Sequence, residues 1–435
     1  MTTSPDRWNW AITAMKSIRL HLAFVLAATL TAASGCHKQL AIEEPEPQPD
    51  YSRQLRPGES ALRLVTDPAR MPDLAGAYRN RDVFLLDSID QSLGWFKKES
   101  TKQYFPFESI THEQAHASVA AFSQLLQSSS DESAFVAEVM RMFDVYESVG
   151  YNGEGTVLFT GYFAPTFNAS RSKSDKFRYP LYKRPADLAT DPKTGQPLGR
   201  KLSNGQTAPY YTRAEIESSN MFAGNELVWM EDALSVYIVQ VNGSAKLRME
   251  DGHEMYIGYA GKTDRPYVGL GKSMLDEGLL KPSELSLSAI RKAYRSNPQR
   301  VQELINRNES YVFFTEYAGD KWPAGSLGVK VMPETSLATD KKIYPRGGLV
   351  VVDTQAIQLD MGKKRFLRYM LDQDTGGAIQ APGRADIFMG WDPGAEIVAG
   401  GQYAEGKLFY LFLKPQFVDQ YLPATAPNRR VASRN

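Results

Sequence analysis

The sequence predicts an α+β protein, mainly β, built as a β-barrel or sandwich behind a helical N-terminal part. Two observations carry this. Between roughly residues 70 and 150, apolar residues recur at three- and four-residue spacing, the period of a helix face. Beyond Gly155, short β-branched and aromatic runs alternate with Gly, Pro, Asn and Asp. Hydrophobic content of 42% and charged content of 23% suffice for a sizeable core.

The chain opens with a targeting pattern. Lys16 and Arg19 supply charge, Leu20 to Ala33 an apolar run too short to span a bilayer, and Ala33-Ser34-Gly35 precede the single cysteine, Cys36. Small residues before Cys resemble a bacterial lipobox, so 1–35 reads as a signal peptide and Cys36 as the lipidation site. Met15 begins a tidier signal than Met1. One cysteine excludes an intramolecular disulfide and a multi-cysteine zinc site. Acyl chains would anchor an otherwise soluble polypeptide to a membrane. EEPEPQPD (Glu43 to Asp50) suits the linker expected over 36–70.

Helices are expected at Arg79–Trp95, His112–Gln127 and Ser133–Val145. Thr111 is the cap of the second, and Gln114 completes a capping box. TVLFTGYF (Thr156 to Phe163) reads as a strand, and Ser170 to Gln206 as polar and turn-rich. Thr212 to Ser219 reads as a short helix capped by Thr212. Leu234–Val241, Lys246–Met249, Glu254–Tyr259 and Tyr311–Glu316 read as strands, and Leu285–Asn306 as a helix broken at Asn297-Pro298. The last third, Leu327 to Lys414, reads as mostly short strands, Leu349–Asp353 and Leu408–Leu413 the clearest.

Several chemistries are excluded. Lys+Arg and Asp+Glu both number 50, so the basic excess of a nucleic-acid binder is missing. No Walker A loop or Rossmann glycine fingerprint is present, and no cofactor or metal is expected. Of five histidines, His112 and His116 lie four apart on one helix. No acidic ligand accompanies them at metal spacing, so they read as structural. Carboxylates remain: Asp340 in SLATD, and Asp374 and Asp386 in DTGGAIQAPGRADIFMG. A carboxyl kept protonated by apolar burial or a neighbouring carboxylate can act as a general acid on an ether-like oxygen. Turn-capping aspartates fit the same pattern.

That segment resembles the signature of the three-aspartate domain of the membrane-bound lytic murein transglycosylase A family. Other segments resemble the family in the same order: TGYFAPTFNASR, YYTRAEIE, VYIVQVNGSAKLRMEDG, YIGYAGKTDRPYVGLG, NESYVFF and SLATDKKIYPRGG, over roughly 155–415. The resemblance implies a six-stranded double-psi β-barrel over 71–175 plus 325–422, interrupted by a smaller β-rich domain over 176–324, with a tail at 423–435. It implies that peptidoglycan glycan strands lie between the two. The implied reaction is non-hydrolytic cleavage between N-acetylmuramic acid (MurNAc) and N-acetylglucosamine, leaving a 1,6-anhydro sugar. By motif position Asp386 is the acid/base, Asp374 its support and Asp340 the third of the set. Tyr162, Gln240, Gly243, Ser244, Tyr267, Gly376 and Gly377 are the implied substrate contacts. Aromatic candidates for sugar stacking are Tyr162, Trp229, Tyr267 and Trp322. The chain departs from the family at Ala164, usually acidic, and Asn242, usually Gln. A peptidoglycan hydrolase and a non-catalytic glycan-binding lipoprotein are the alternatives. The implied location is the bacterial envelope, as an outer-membrane lipoprotein facing the periplasm. Cell-wall synthesis or division proteins are expected partners.

Overall fold

A computed structural model describes residues 49–422, apart from 193–194, 282–283 and 359–361. The expected signal peptide, Cys36 and the 423–435 tail lie outside the described residues. Among the described residues, no helix is long and apolar enough to cross a membrane.

The N-terminal part is helical, with helices at Leu74–Arg79, Leu85–Phe96, His112–Ser128 and Glu132–Met142. The single helix expected over Arg79–Trp95 is thus two. The Asp82 carboxylate accepts from the Phe84 backbone N–H at 3.0 Å, and the helix restarts there. The apolar period still marks the inner face, since Leu85, Ile89 and Phe96 are buried. Thr111 Oγ1 caps the third helix by accepting from Gln114 N at 3.0 Å. The reciprocal half of the box is not made. Gln114 Nε2 instead donates to the Leu413 carbonyl at 2.9 Å and ties the helix to the sheet. The helix expected to reach Val145 stops at Met142, because Phe143 and Val145 point into the core from a strand. His112 and His116 are buried beside Phe96, each ring 5.5 Å from it, and burial lowers both imidazole pKa values.

Strands follow in chain order. β1 (Leu62–Leu64), β2 (Phe143–Ser148) and β3 (Val157–Tyr162) come first. Then come β4 (Thr166–Ser170), β5 (Tyr179–Tyr182), β6 (Leu188–Thr190), β7 (Pro197–Lys201) and β8 (Thr207–Ala208). β9 (Glu226–Met230), β10 (Ser244–Met249), β11 (Glu254–Lys262) and β12 (Val312–Tyr317) are next. The last are β13 (Ser336–Ala338), β14 (Leu349–Gln358), β15 (Gly362–Asp374), β16 (Arg384–Phe388) and β17 (Tyr403–Leu413).

Six of them close a barrel in the order β17-β14-β15-β13-β16-β3, and β3 returns to pair with β17. β2 and β1 extend the sheet from β17. β16 runs parallel to β3, and β13 parallel to β15. Leu349 to Val352 are all buried, as expected of a strand covered on both faces. The N-terminal helices supply the outer cover, with Phe122 packed 4.8 Å from Tyr369.

The chain between β3 and β13 forms a second sheet, β12-β11-β10-β4-β9-β5, with a three-stranded β6-β7-β8 beside it. The fold is therefore α+β, a closed six-stranded barrel with a separate β-rich insert. Three local expectations are corrected. Leu234–Val241 is not a strand but lies in a helix, Ala233–Asn242. A run apolar on nearly every side has no periodicity to separate helix from strand. The ends decide it: Asp232 accepts from Ser235 N at 2.8 Å, and Gly243 closes the helix at φ 70°. The polar 170–206 segment holds the short strands β5, β6 and β7. The last third carries strands of 10 to 13 residues and a helix, Pro393–Gly401. Lys363, Lys364 and Arg365 at the exposed end of β15 conceal that strand's length.

Candidate active site

The two aspartates of the Gly-rich segment reach one row through the β-ladder. Ala338 on β13 pairs with Asp386 of β16 on one side and with Asp374 of β15 on the other. Two interstrand spacings separate their Cα atoms by roughly 10 Å. On the far side of β16, Asp386 faces Thr160 of β3. Thr160 and Tyr162 are alternate residues and share a face. Thr160 Oγ1 donates to Asp386 Oδ1, and Tyr162 Oη donates to Asp374 Oδ2 at 2.8 Å. One strand thus holds both carboxylates.

The three aspartates are not equivalent. Asp340 is 7% exposed and spends both oxygens on backbone. Oδ1 accepts from Lys342 N and Oδ2 from Ala381 N, both at 3.0 Å. Ala381 sits at φ 68°, an uncommon conformation for a residue with a Cβ, and Asp340 fixes it there. Asp374 also uses both oxygens, since Oδ1 accepts from Ser326 N at 2.6 Å and Thr375 N at 2.8 Å. Burial raises the Asp374 pKa, opposed by those hydrogen bonds and by Lys341. In Asp386, Oδ1 takes the Thr160 hydroxyl and Oδ2 has no partner among the described residues. Arg384 lies 3.6 Å from the same Oδ1, and its Nη2 donates to Thr160 Oγ1 at 3.0 Å.

Asp372, close by in sequence, is fully buried and bonded to Lys341, Thr339 and Tyr410. It supports the fold beneath the row and is closed off from solvent.

The raised Asp374 pKa has a consequence for stability. The folded state favours the neutral carboxyl, so its contribution is complete below the unfolded value near ~4 and is lost as pH rises toward the raised folded value. Asn at 374 can accept from Ser326 and Thr375 and donate to Tyr162. Asp374→Asn should melt at or above the wild-type temperature at pH 7, with the gap closing toward pH 4. Calorimetry across that range checks it.

The insert contributes the opposite wall. A Cβ on Gly377 would lie 3.6 Å from Lys262 Nζ and 4.0 Å from the Tyr267 ring, so this turn and the insert approach to van der Waals contact. A Cβ on Gly376 would lie 3.1 Å from Ile379 of the same turn. Burial raises the Tyr267 hydroxyl pKa well above the usual tyrosine value, with Tyr237 and Asp386 adding to it. Burial lowers that of Lys262, with Lys342 adding to the fall and Asp340 opposing it.

Gln240, Gly243 and Ser244 lie elsewhere, at the end of the Ala233–Asn242 helix and the start of β10. Gln240 is 4% exposed, and its amide atoms have no partner among the described residues. Gly243 ends the helix, and Ser244 Oγ donates to the Ile257 carbonyl at 3.1 Å. This corner still touches the site's strand, since Asn242 Oδ1 accepts from Phe163 N at 3.4 Å. Trp229 lies in β9 under Lys173, and Trp322 packs against Tyr256. Sequence reasoning missed Thr160, Arg384, Ser326 and Lys262. For Thr160 and Arg384 a signal existed: each is two residues from a singled-out residue on a strand, hence on its face.

Known proteins share this fold. A family model described as "MltA specific insert domain" matches residues 158–315, and one described as "3D domain" matches 335–412. A membrane-bound lytic murein transglycosylase A of Vibrio cholerae is 30% identical over 270 residues, 61% of this chain and 68% of that protein. The crystal structure of a membrane-bound lytic murein transglycosylase from Agrobacterium tumefaciens superposes with a TM-score of 0.67 at 24% identity, covering 83% of this chain and all of that one. E. coli MltA with bound chitohexaose gives a TM-score of 0.61 at 23% identity, over 86% and 98% of the two chains. With the insert and the three-aspartate barrel both matched, this chain belongs to the membrane-bound lytic murein transglycosylase A family.

Proposed function

We propose that this protein is a lytic transglycosylase that cleaves the β-1,4 bond from MurNAc to N-acetylglucosamine in peptidoglycan. Asp386 is the acid and then the base. The observation that carries the assignment is the free Oδ2 of Asp386, since Asp340 and Asp374 have both oxygens engaged. A carboxyl whose second oxygen is unengaged can give up and take back a proton.

In this reading the glycan lies between the barrel and the insert, against Tyr162, Tyr267 and the Gly376-Gly377 turn. Protonated Asp386 donates its proton to the glycosidic oxygen as the bond to C1 breaks. The C6 hydroxyl of the same MurNAc attacks C1, and its proton returns to the Asp386 carboxylate. The product is 1,6-anhydroMurNAc, and no water is consumed. An intramolecular hydroxyl held near C1 gains by proximity, so no second base is needed. Asp374 positions Tyr162, and Asp340 holds the turn between the two aspartates. A relative supports glycan as the ligand, E. coli MltA being described with bound chitohexaose. Gln240, Gly243 and Ser244 belong to the insert's side of this contact through the corner at Asn242.

We place the enzyme in the bacterial envelope, held at the outer membrane by lipid on Cys36 and working beside cell-wall synthesis or division proteins. Incubating purified protein with murein sacculi should release anhydro-muropeptides, read by mass spectrometry. Reducing-end products alone would assign a hydrolase. Binding to sacculi without either product would assign a glycan-binding lipoprotein.

A further inference from the structure

We propose that the cavity just beyond Tyr162, where the insert sheet meets the barrel, binds the acidic stem peptide that peptidoglycan strands carry. The inference rests on the peptidoglycan reading above. The cavity has a volume of about 540 Å³, within the range of small-ligand sites. Its wall begins at Phe163 and Ala164, directly after the tyrosine that holds Asp374. A substituent on a sugar held at the aspartates has only that short step to travel.

The lining is cationic and aromatic. Lys246 and Arg248 are alternate residues of β10 and share its outer face, while Ala245, Leu247 and Met249 face the insert core. Tyr256 pairs across from Lys246 on β11. On the barrel side, Lys330 Nζ lies 5.6 Å from the Trp391 ring centre. The carboxylates present are already engaged. Asp392 accepts from Ala395 N at 2.9 Å, and Glu396 lies 3.2 Å from Arg291; outside the lining, Glu254 lies 2.5 Å from Lys246. Among the described residues, Arg248 and Lys330 form no ion pair. Two cations free of ion pairs, beside two aromatic faces, suit a short chain ending in carboxylates. A neutral sugar would use the rings and leave the cations idle. Ala164 adds no charge to this wall.

The test compares glycan strands bearing stem peptides with strands stripped of peptide by an amidase. The protein is assayed as wild type and as the Arg248→Gln/Lys330→Gln double variant. The double variant should raise KM for stem-bearing strands about tenfold more than for stripped strands, as expected for losing two partly exposed ionic contacts. An equal rise on both strands would make the cavity a glycan subsite and overturn the proposal, as would no change on either.

If wild-type protein gives anhydro products from neither strand, the functional reading fails instead. Titration of free stem tetrapeptide, followed by fluorescence of the lining Trp322 and Trp391, then decides the cavity alone. Saturable quenching that weakens about tenfold in the double variant supports it, and no quenching up to millimolar peptide overturns it.

Discussion

Asp386→Asn is expected to lower kcat on murein by about 10²–10⁴-fold, the usual contribution of a positioned acid/base. Asn is isosteric, its side-chain oxygen can still take the Thr160 hydroxyl, and β16 keeps its pairing with β3 and β13. Melting temperature and retention on sacculi should therefore stay near wild type, because the change removes proton transfer and little else. A parallel assay of Thr160→Val separates positioning from chemistry. That variant lets Asp386 and Arg384 settle against each other and should lower kcat about tenfold, as losing an orienting hydrogen bond does. If Asp386→Asn retained full turnover, the proposed acid/base would be wrong. A collapse of melting temperature would instead show that Asp386 is structural.

The second large effect is on stability. Lys341→Met should destabilise the fold by about 3–5 kcal/mol, the cost of stranding one partner of a buried ion pair. Asp372 is fully buried and Lys341 is 7% exposed. Burial lowers the Lys341 pKa and the Asp372 carboxylate opposes that fall, so the pair holds together as a unit. The Tyr410 and Thr339 hydroxyls still donate to Asp372 after the change, at 2.6 Å and 2.8 Å, but neither neutralises its charge. The double variant Lys341→Met/Asp372→Asn should recover much of the loss, since Asn still accepts from Tyr410. Urea midpoints for the three proteins measure both effects. The variants should lose activity in the same order, because Asp372 precedes Asp374 by two residues on β15.

How much of this was legible in the sequence depends on the kind of signal. Asp374 and Asp386 stood out because the intervening Gly- and Pro-rich turn is local. The helical start was legible by period, and the β-rich remainder by its β-branched and aromatic runs between turn residues. The Ala233–Asn242 helix was not, because its run is apolar nearly all round and only the Asp232 cap and Gly243 betray it. Motif position ranked the three aspartates, but the hydrogen bonding that distinguishes them was not legible. It depends on which backbone N–H groups reach each oxygen, and Ser326 and Ala381 reach theirs from 48 and 41 residues away. Asp372 looks like a rival to Asp374 in sequence, and only the Lys341 pairing across the barrel removes it. The closed barrel itself rests on β3 meeting β17, a contact with no local trace.

Asp374 has one more property. The chain passes between barrel and insert twice, outward after Tyr162 and back between β12 and β13, where Ser326 lies. Both passages end on the same carboxylate, Tyr162 on one oxygen and Ser326 on the other. Asp374 is therefore a clasp at the joint. A swing of the insert would stretch a bond to it, so any closure of insert on barrel would also act on the residue beside the proposed acid.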